Sequence, residues 1–203
     1  DMPECNRLPV YDRLAAGYDR ATRPLERLGL AGLRAATLGE LPEGARLLEV
    51  GAGTGGNFAY YPRGAAVVAS ELSGEMLKKA SAKERPEGVR LVRARAESLP
   101  FADASFDAAF ATLVFCSVES PAEGLAELRR VVRPGGTVAL LEHVRPEGLL
   151  GRLFDALSVV TVALLDDHFN RRTLDEARRA GLEPVKVKRH LFGVVQLIVC
   201  RVP

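Results

Sequence analysis

Leu47-Leu-Glu-Val-Gly-Ala-Gly-Thr-Gly-Gly-Asn57 is the stretch from which the fold can be read. Residues 46–50 form a compact apolar run that closes on Gly51, the pattern of a strand buried on both faces. Gly51, Gly53 and Gly55 then form a tight strand-to-helix turn without Cβ atoms, which lets a ligand approach the backbone. The same letters satisfy G-x-G-x-x-G through Gly51, Gly53 and Gly56, so the glycines alone leave a nicotinamide dinucleotide and another nucleoside ligand both open. Glu71 ends the next apolar run twenty residues after Gly51, where a carboxylate can accept both hydroxyls of a ribose. Glu49 tilts the choice. A carboxylate two residues before the loop repels a pyrophosphate and attracts a ligand that carries an ammonium group.

Working outward, residues 65–71, 89–93, 106–115 and 136–142 read as further strands, and residues 11–40 read as helical. A helix starts near Ser73. Another has Ser120 as N-cap, Pro121 at its first position and Glu123 closing a capping box. Pro134-Gly135-Gly136 stops that helix and turns the chain into the next strand. Thr173-Leu-Asp-Glu176 repeats the capping box, and Gly181 ends the helix that follows. The tail is different. Residues 185–190 and 194–200 are β-rich and joined only through Leu191 to Gly193, too short for a parallel crossover, so they form an antiparallel hairpin. The expected architecture is a single α/β domain over residues 1–203, with a doubly wound, seven-stranded, mostly parallel sheet and a C-terminal antiparallel hairpin. That hairpin argues against a plain dinucleotide fold with all strands parallel.

Composition bounds the function. At 203 residues, 47% apolar and 27% charged, the chain can build one full core and is neither disordered nor collagen-like. A net charge of +2 lacks the electrostatic footprint of a dedicated nucleic-acid binder, so no nucleic-acid partner is expected. Arg129-Arg130, Arg171-Arg172 and Arg178-Arg179 alternate with acids, as solvated helix faces do. Cys5, Cys116 and Cys200 suggest neither a disulfide framework nor metal-ligand spacing, so a reducing, cytoplasmic setting without a bound metal is expected. No run of 18 apolar residues is present, so no membrane span is expected.

Taken together, Glu-Val-Gly-Ala-Gly-Thr-Gly, Glu71-Leu-Ser-Gly-Glu-Met-Leu77, Ala96-Glu-Ser-Leu-Pro-Phe101, Ser105-Phe-Asp107 and Arg133-Pro-Gly-Gly136 resemble a class I S-adenosylmethionine (SAM) dependent methyltransferase, across residues 11–201. The resemblance implies a Rossmann-like fold and SAM as cofactor. It places Gly51, Ala52 and Gly53 under the methionine part, with Glu49 near its amino group. It gives Glu71 the ribose hydroxyls and sets Leu72 and Met76 against the adenine, with Met76 also readable as a core side chain. Ala96, through its amide, and Glu97 meet the adenine edge. Thr112 and Leu113 face the sulfonium. Tyr11 and Tyr18 match the lid of such enzymes, within a helical lid over residues 1–40. One departure is Arg95, where the family often has Asp before Ala-Glu, which shifts adenine recognition toward Glu97 and backbone groups.

Gly56-Asn-Phe-Ala-Tyr-Tyr-Pro62, Thr112-Leu-Val-Phe-Cys-Ser-Val118 and Glu142-His-Val144 are similar to a subgroup that contains membrane-anchored thiol S-methyltransferases. No comparable anchor is expected for this chain, and it has His168-Phe169 before Asn170 where that subgroup tends to have Gly-Cys. The broader group includes quinone C-methyltransferases and phospholipid N-methyltransferases. The expected acceptor is therefore small and apolar, a thiol first. The apolar segment 148–169, within a helical cover over residues 145–172, is suited to lie over that acceptor or to touch a membrane surface. Glu142 and His143, at the end of the fifth strand, are the candidate catalytic residues, with His143 as proton acceptor and His168 a lesser alternative. Cys116 reads as a buried apolar residue. A nicotinamide oxidoreductase and a non-catalytic SAM-binding domain are the rival classes.

Overall fold

The computed structural model describes residues 8–144 and 172–203. Seven strands form one sheet: β1 (Arg46–Val50), β2 (Ala66–Glu71), β3 (Arg90–Arg93), β4 (Phe106–Thr112), β5 (Val132–His143), β6 (Glu183–His190) and β7 (Val195–Arg201). Their order is β3-β2-β1-β4-β5-β7-β6. The first five strands run parallel, and β7 lies antiparallel between β5 and β6. This is the expected α/β sheet with its closing hairpin.

The helices are α1 (Leu8–Leu14), α2 (Tyr18–Leu25), α3 (Ala31–Leu38), α4 (Gly74–Ser81), α5 (Pro121–Val131) and α6 (Thr173–Arg179). They cover both faces because the strands alternate. Leu47, Phe110 and Ala139 pack with Leu38 of α3 on one face. Leu48, Ala109, Leu140 and Ile198 pack with Leu125 and Leu128 of α5 and Ala177 of α6 on the other. All of these are buried, and each large side chain contributes about 1.5–3 kcal/mol.

The structure corrects several local expectations. No α-helix follows the glycine loop; the connection to β2 holds only one 3-10 turn, Phe58–Tyr60. Fifteen residues separate β1 from β2, and loop geometry, Asn57 and Pro62 leave too little chain for a helix that must pay for its own nucleation. β4 ends at Thr112 rather than residue 115, because Leu113 turns the chain at φ 58°. The helical N-terminal region is interrupted after Leu14 and carries a π-turn, Glu26–Leu30, with Gly29 at φ 128°. Ser73 caps α4 by accepting the Met76 amide at 3.1 Å. Ser120 stands at the N-cap of α5 but its hydroxyl makes no cap bond. Arg172, not Thr173, is the N-cap of α6, and the buried Thr173 hydroxyl has no hydrogen-bond partner among the described residues.

Candidate functional site

A cavity of about 440 Å³ opens at the carboxyl ends of β1, β2 and β4, where the chain order reverses between β1 and β4. That is the crevice in which open α/β sheets bind ligands. Tyr11, Tyr18, Gly51, Ala52, Gly53, Glu71, Leu72, Met76, Ala96, Glu97, Thr112 and Leu113 all line it. Glu49 does not.

Gly51 (φ 72°) donates to Ser70 O at 2.9 Å, and a Cβ on it would lie 2.3 Å from Val114 Cγ2. Gly53 (φ 55°) is bordered by open space, so its backbone is bare toward a ligand. Its amide donates to Glu71 Oε2 at 2.9 Å, while Leu72 and Ser73 donate to Glu71 Oε1 at 2.8 and 2.9 Å. Glu71 thus ties the glycine loop to the first turn of α4. Burial pushes its carboxyl pKa up, against the pull of the three amides. A carboxylate offers about four acceptor directions, so roughly one remains, on Oε2, for a ribose hydroxyl. This structural role was not visible in a reading that saw Glu71 only as a ligand contact.

Glu49 is fully buried and does not line the cavity. Strand alternation places it with Leu47 on the α3 side, where Asn57 Nδ2 donates to it at 2.6 Å and the Tyr61 hydroxyl donates to its other oxygen. Burial raises its pKa first of all, with Tyr61, Asn57 and the charge of Arg34 opposing. The ammonium contact expected of Glu49 is therefore not available on the wall.

The far end of the cavity carries Ala96, Glu97 and Arg95. Glu97 Oε1 accepts the amides of Glu119 and Ser120 at 3.0 and 3.3 Å, which anchors the chain just ahead of α5. Arg95 bridges Glu97 at 3.8 Å and Glu119 at 3.0 Å. Thr112 accepts from Arg34 Nη1 at 2.7 Å and from Asn57 Nδ2 at 2.8 Å.

The N-terminal segment is fastened over the opening by its acids. Asp12 accepts from the Ser73 hydroxyl and, at 3.3 Å, from the Glu75 amide. Asp19 accepts from Thr54 Oγ1 at 2.5 Å and pairs with Lys83 at 2.7 Å. Burial works against ionised Asp19, but its bonds to Lys83 and Thr54 outweigh it and hold the pKa below the usual value. Because this pair is partly exposed, Asp19→Ala is expected to destabilise the fold by only about 1 kcal/mol, yet to raise hydrogen exchange several-fold across residues 18–25. Unchanged exchange there would show that Asp19 does not fasten the segment.

Glu142 and His143 do not line this cavity. Glu142 is wholly buried, and its Oε1 accepts the amides of Val114 and Phe115, both at 3.1 Å, which stabilises the turn after β4. This is a structural task for a residue expected to be catalytic. His143 is half-buried at the end of β5. Cys116 and Cys200 are buried. His168 and the segments 1–7 and 145–171 lie outside the described residues. Among the described residues, no three metal-type side chains gather, and no helix is long and apolar enough to cross a membrane. Arg130 is occupied by Glu127, Asp103 and two carbonyls rather than offered to a polyanion. Sequence reading missed Arg34, Glu26 and Lys83, which also line the cavity. No motif marks them, since Glu26 and Arg34 come from the N-terminal helical segments and Lys83 from the bend after α4, where packing sets their position.

A dinucleotide reading needs a helix N-terminus to receive the pyrophosphate after the glycine loop, and the 3-10 turn here supplies none. Known proteins agree. Residues 48–140 match the methyltransferase domain family. The chain is 36% identical to mouse thiol S-methyltransferase TMT1B over 150 residues, 70% of this chain and 62% of that protein, so it spans about three fifths of that relative's length. It is 36% identical to malonyl-[acyl-carrier protein] O-methyltransferase of Pseudescherichia vulneris over 186 residues, 87% of this chain and 70% of that protein. A solved SAM-dependent methyltransferase of Thermotoga maritima superposes with a TM-score of 0.75 at 23% identity, covering 98% of this chain and 100% of that one. The chain belongs to the class I S-adenosylmethionine-dependent methyltransferases, whose cofactor is SAM.

Proposed function

We propose that this chain transfers the methyl group of SAM to a small, apolar nucleophile, with a lipophilic thiol as the first candidate. The observation that carries the reading is the convergence of the glycine loop, Glu71, Leu72, Met76, Ala96, Glu97, Thr112 and Leu113 on one cavity. In this reading the loop backbone lies under the methionine part, Glu71 Oε2 takes a ribose hydroxyl, and Leu72 and Met76 flank the adenine. Ala96 and Glu97 lie at the adenine edge, the latter already engaged by two amides. The N-terminal helices, with Tyr11 and Tyr18, act as a lid that excludes water from the sulfonium.

SAM supplies an activated methyl on a sulfonium, and the protein's contribution is alignment and dryness. In the transfer the acceptor sulfur forms a bond to the methyl carbon, the sulfonium C–S bond breaks, and the thiol proton leaves to a base. His143, at the end of β5 and off the cavity lining, is the candidate to receive that proton from an acceptor bound beyond it. Likeness to thiol S-methyltransferases favours sulfur, while likeness to an O-methyltransferase keeps the acceptor atom a matter for experiment.

The test is labelled SAM with a panel of apolar thiols, quinols, amines and phospholipids, read by mass spectrometry. A labelled thioether is the expected product, and His143→Ala is expected to lower its formation without changing cofactor affinity. Label on quinol carbon or lipid nitrogen instead would reassign the acceptor. Cofactor binding without transfer to any of them would replace the enzyme reading with a binding domain.

A further inference from the structure

We infer that the outward face of residues 18–30 is a docking surface for an anionic lipid bilayer, on which the domain lies with its cavity mouth toward the membrane. The docking element is part of the folded domain and rests in the lipid interface rather than spanning it. Docking is measured with no methyl acceptor present, so it stands or falls apart from the methyl-transfer reading.

Residues 18–30 form α2 and the π-turn, and neither contains a buried residue. One row of this segment faces the protein. Tyr18, Thr22 and Glu26, four residues apart, are half-buried and line the cavity. Ala21, Pro24, Leu25 and Leu28 have the i, i+3, i+4, i+7 spacing of an apolar helix face, yet all four are exposed. Leu25 is 55% exposed and Leu28 84%, the highest value among the exposed large apolar side chains described. Gly29, at φ 128°, breaks the helix directly after Leu28. A second element sends out a leucine nearby. Leu30 of the π-turn and Val194 pack on one cluster with Leu141 and Val195, which makes the π-turn a neighbour of the β6–β7 turn, and Leu191 of that turn is 67% exposed.

Charge selects the occupant. Both acids of the segment are already engaged, Asp19 with Lys83 at 2.7 Å and Glu26 with Arg34 at 3.0 Å. Arg20, Arg23 and Arg27 are exposed, and none has a carboxylate partner among the described residues. The segment therefore offers three uncompensated positive charges beside an exposed apolar row, the combination of a helix that lies in an anionic lipid interface. A second copy of this chain is a poor occupant, because two such faces set together bring three arginines against three. A bilayer supplies anionic headgroups to the guanidinium groups and acyl chains to Leu25 and Leu28. It also holds apolar small molecules, the proposed acceptor class, beside the cavity mouth.

The test is co-sedimentation with vesicles of phosphatidylcholine alone or mixed with roughly one third phosphatidylglycerol, at physiological salt. The unchanged protein is expected to bind the mixed vesicles at least about tenfold more tightly, and to lose most of that preference at about 1 M salt. L28D is expected to weaken binding to the mixed vesicles by about ten- to a hundredfold, and R20Q/R27Q by about thirtyfold. All three positions are exposed, so unchanged melting midpoints are expected for both variants. V185D is the control, because Val185 is 60% exposed at the start of β6, outside this face, and it is expected to bind like the parent. If L28D binds like the parent, or V185D loses as much as L28D, the face does not dock and the inference fails. Equal binding to both vesicles would overturn the role of the arginines and the inference with it. Binding to neither vesicle also overturns it, and a dimer that L28D dissolves would then make the face an interface between copies of this chain.

Discussion

Glu71→Ala is expected to lower affinity for S-adenosylhomocysteine by at least about a hundredfold and to destabilise the fold by about 2–4 kcal/mol. Two effects add. Removing the carboxylate strands the amides of Gly53, Leu72 and Ser73, and each buried N–H left unmade costs about 1–3 kcal/mol. Water entering from the cavity recovers part of that, hence the lower range. The proposed ribose contact is lost as well, and the glycine loop is freed from α4, so the surface that receives the ligand is no longer preformed. Urea denaturation and calorimetry read the two effects separately. A variant within about 1 kcal/mol of the parent in stability and within threefold in affinity would place both the loop tie and the ribose elsewhere.

Gly136→Ala is expected to destabilise by about 3 kcal/mol or more without changing nucleoside affinity in the protein that remains folded. A Cβ at Gly136 would sit 2.6 Å from Asp107 O, 2.7 Å from Arg133 O and 2.4 Å from Val132 Cγ1. Two of the three are backbone, so relief requires shifting β5 against β4 at the point where their register already slips. Gly135 makes the control. It has φ 75°, but a Cβ there meets nothing, so Gly135→Ala is expected to cost only about 1–2 kcal/mol of backbone strain. Equal melting midpoints for the two variants would show that close approach between β4 and β5 is not what selects glycine at residue 136.

Most of the cavity lining that could be read from the sequence is carried on or just past strand ends, with Tyr11, Tyr18 and Met76 on helices. Gly51 to Gly53, Glu71, Ala96 and Thr112 sit where a parallel strand stops, and a strand stop is visible as an apolar run meeting glycine or polar residues. The direction of a side chain at such a stop is less visible. The spacing of Glu49 from the loop puts it at the ligand's amino group, but it is buried off the cavity lining, holding Asn57 and Tyr61. Glu142 was expected to be catalytic because it ends β5, but the turn at Leu113 offers it two amides.

Sequence by itself determined a mostly parallel sheet and the closing hairpin, because these follow from hydrophobic period, glycine placement and connection length, all local in the chain, while the cofactor class was implied by the family resemblance of the motifs. Tertiary structure decided which polar groups face the ligand. Arg34, Glu26 and Asp19 come from helical segments outside the sheet and Lys83 from the bend after α4, and their partners lie up to 78 residues away. Such contacts depend on how a kinked helix packs across strand ends, a long-range matter that no local pattern encodes. The same packing gave Glu71 and Glu97 backbone amides to hold, so two residues chosen for ligand chemistry also stabilise the loops that shape the cavity.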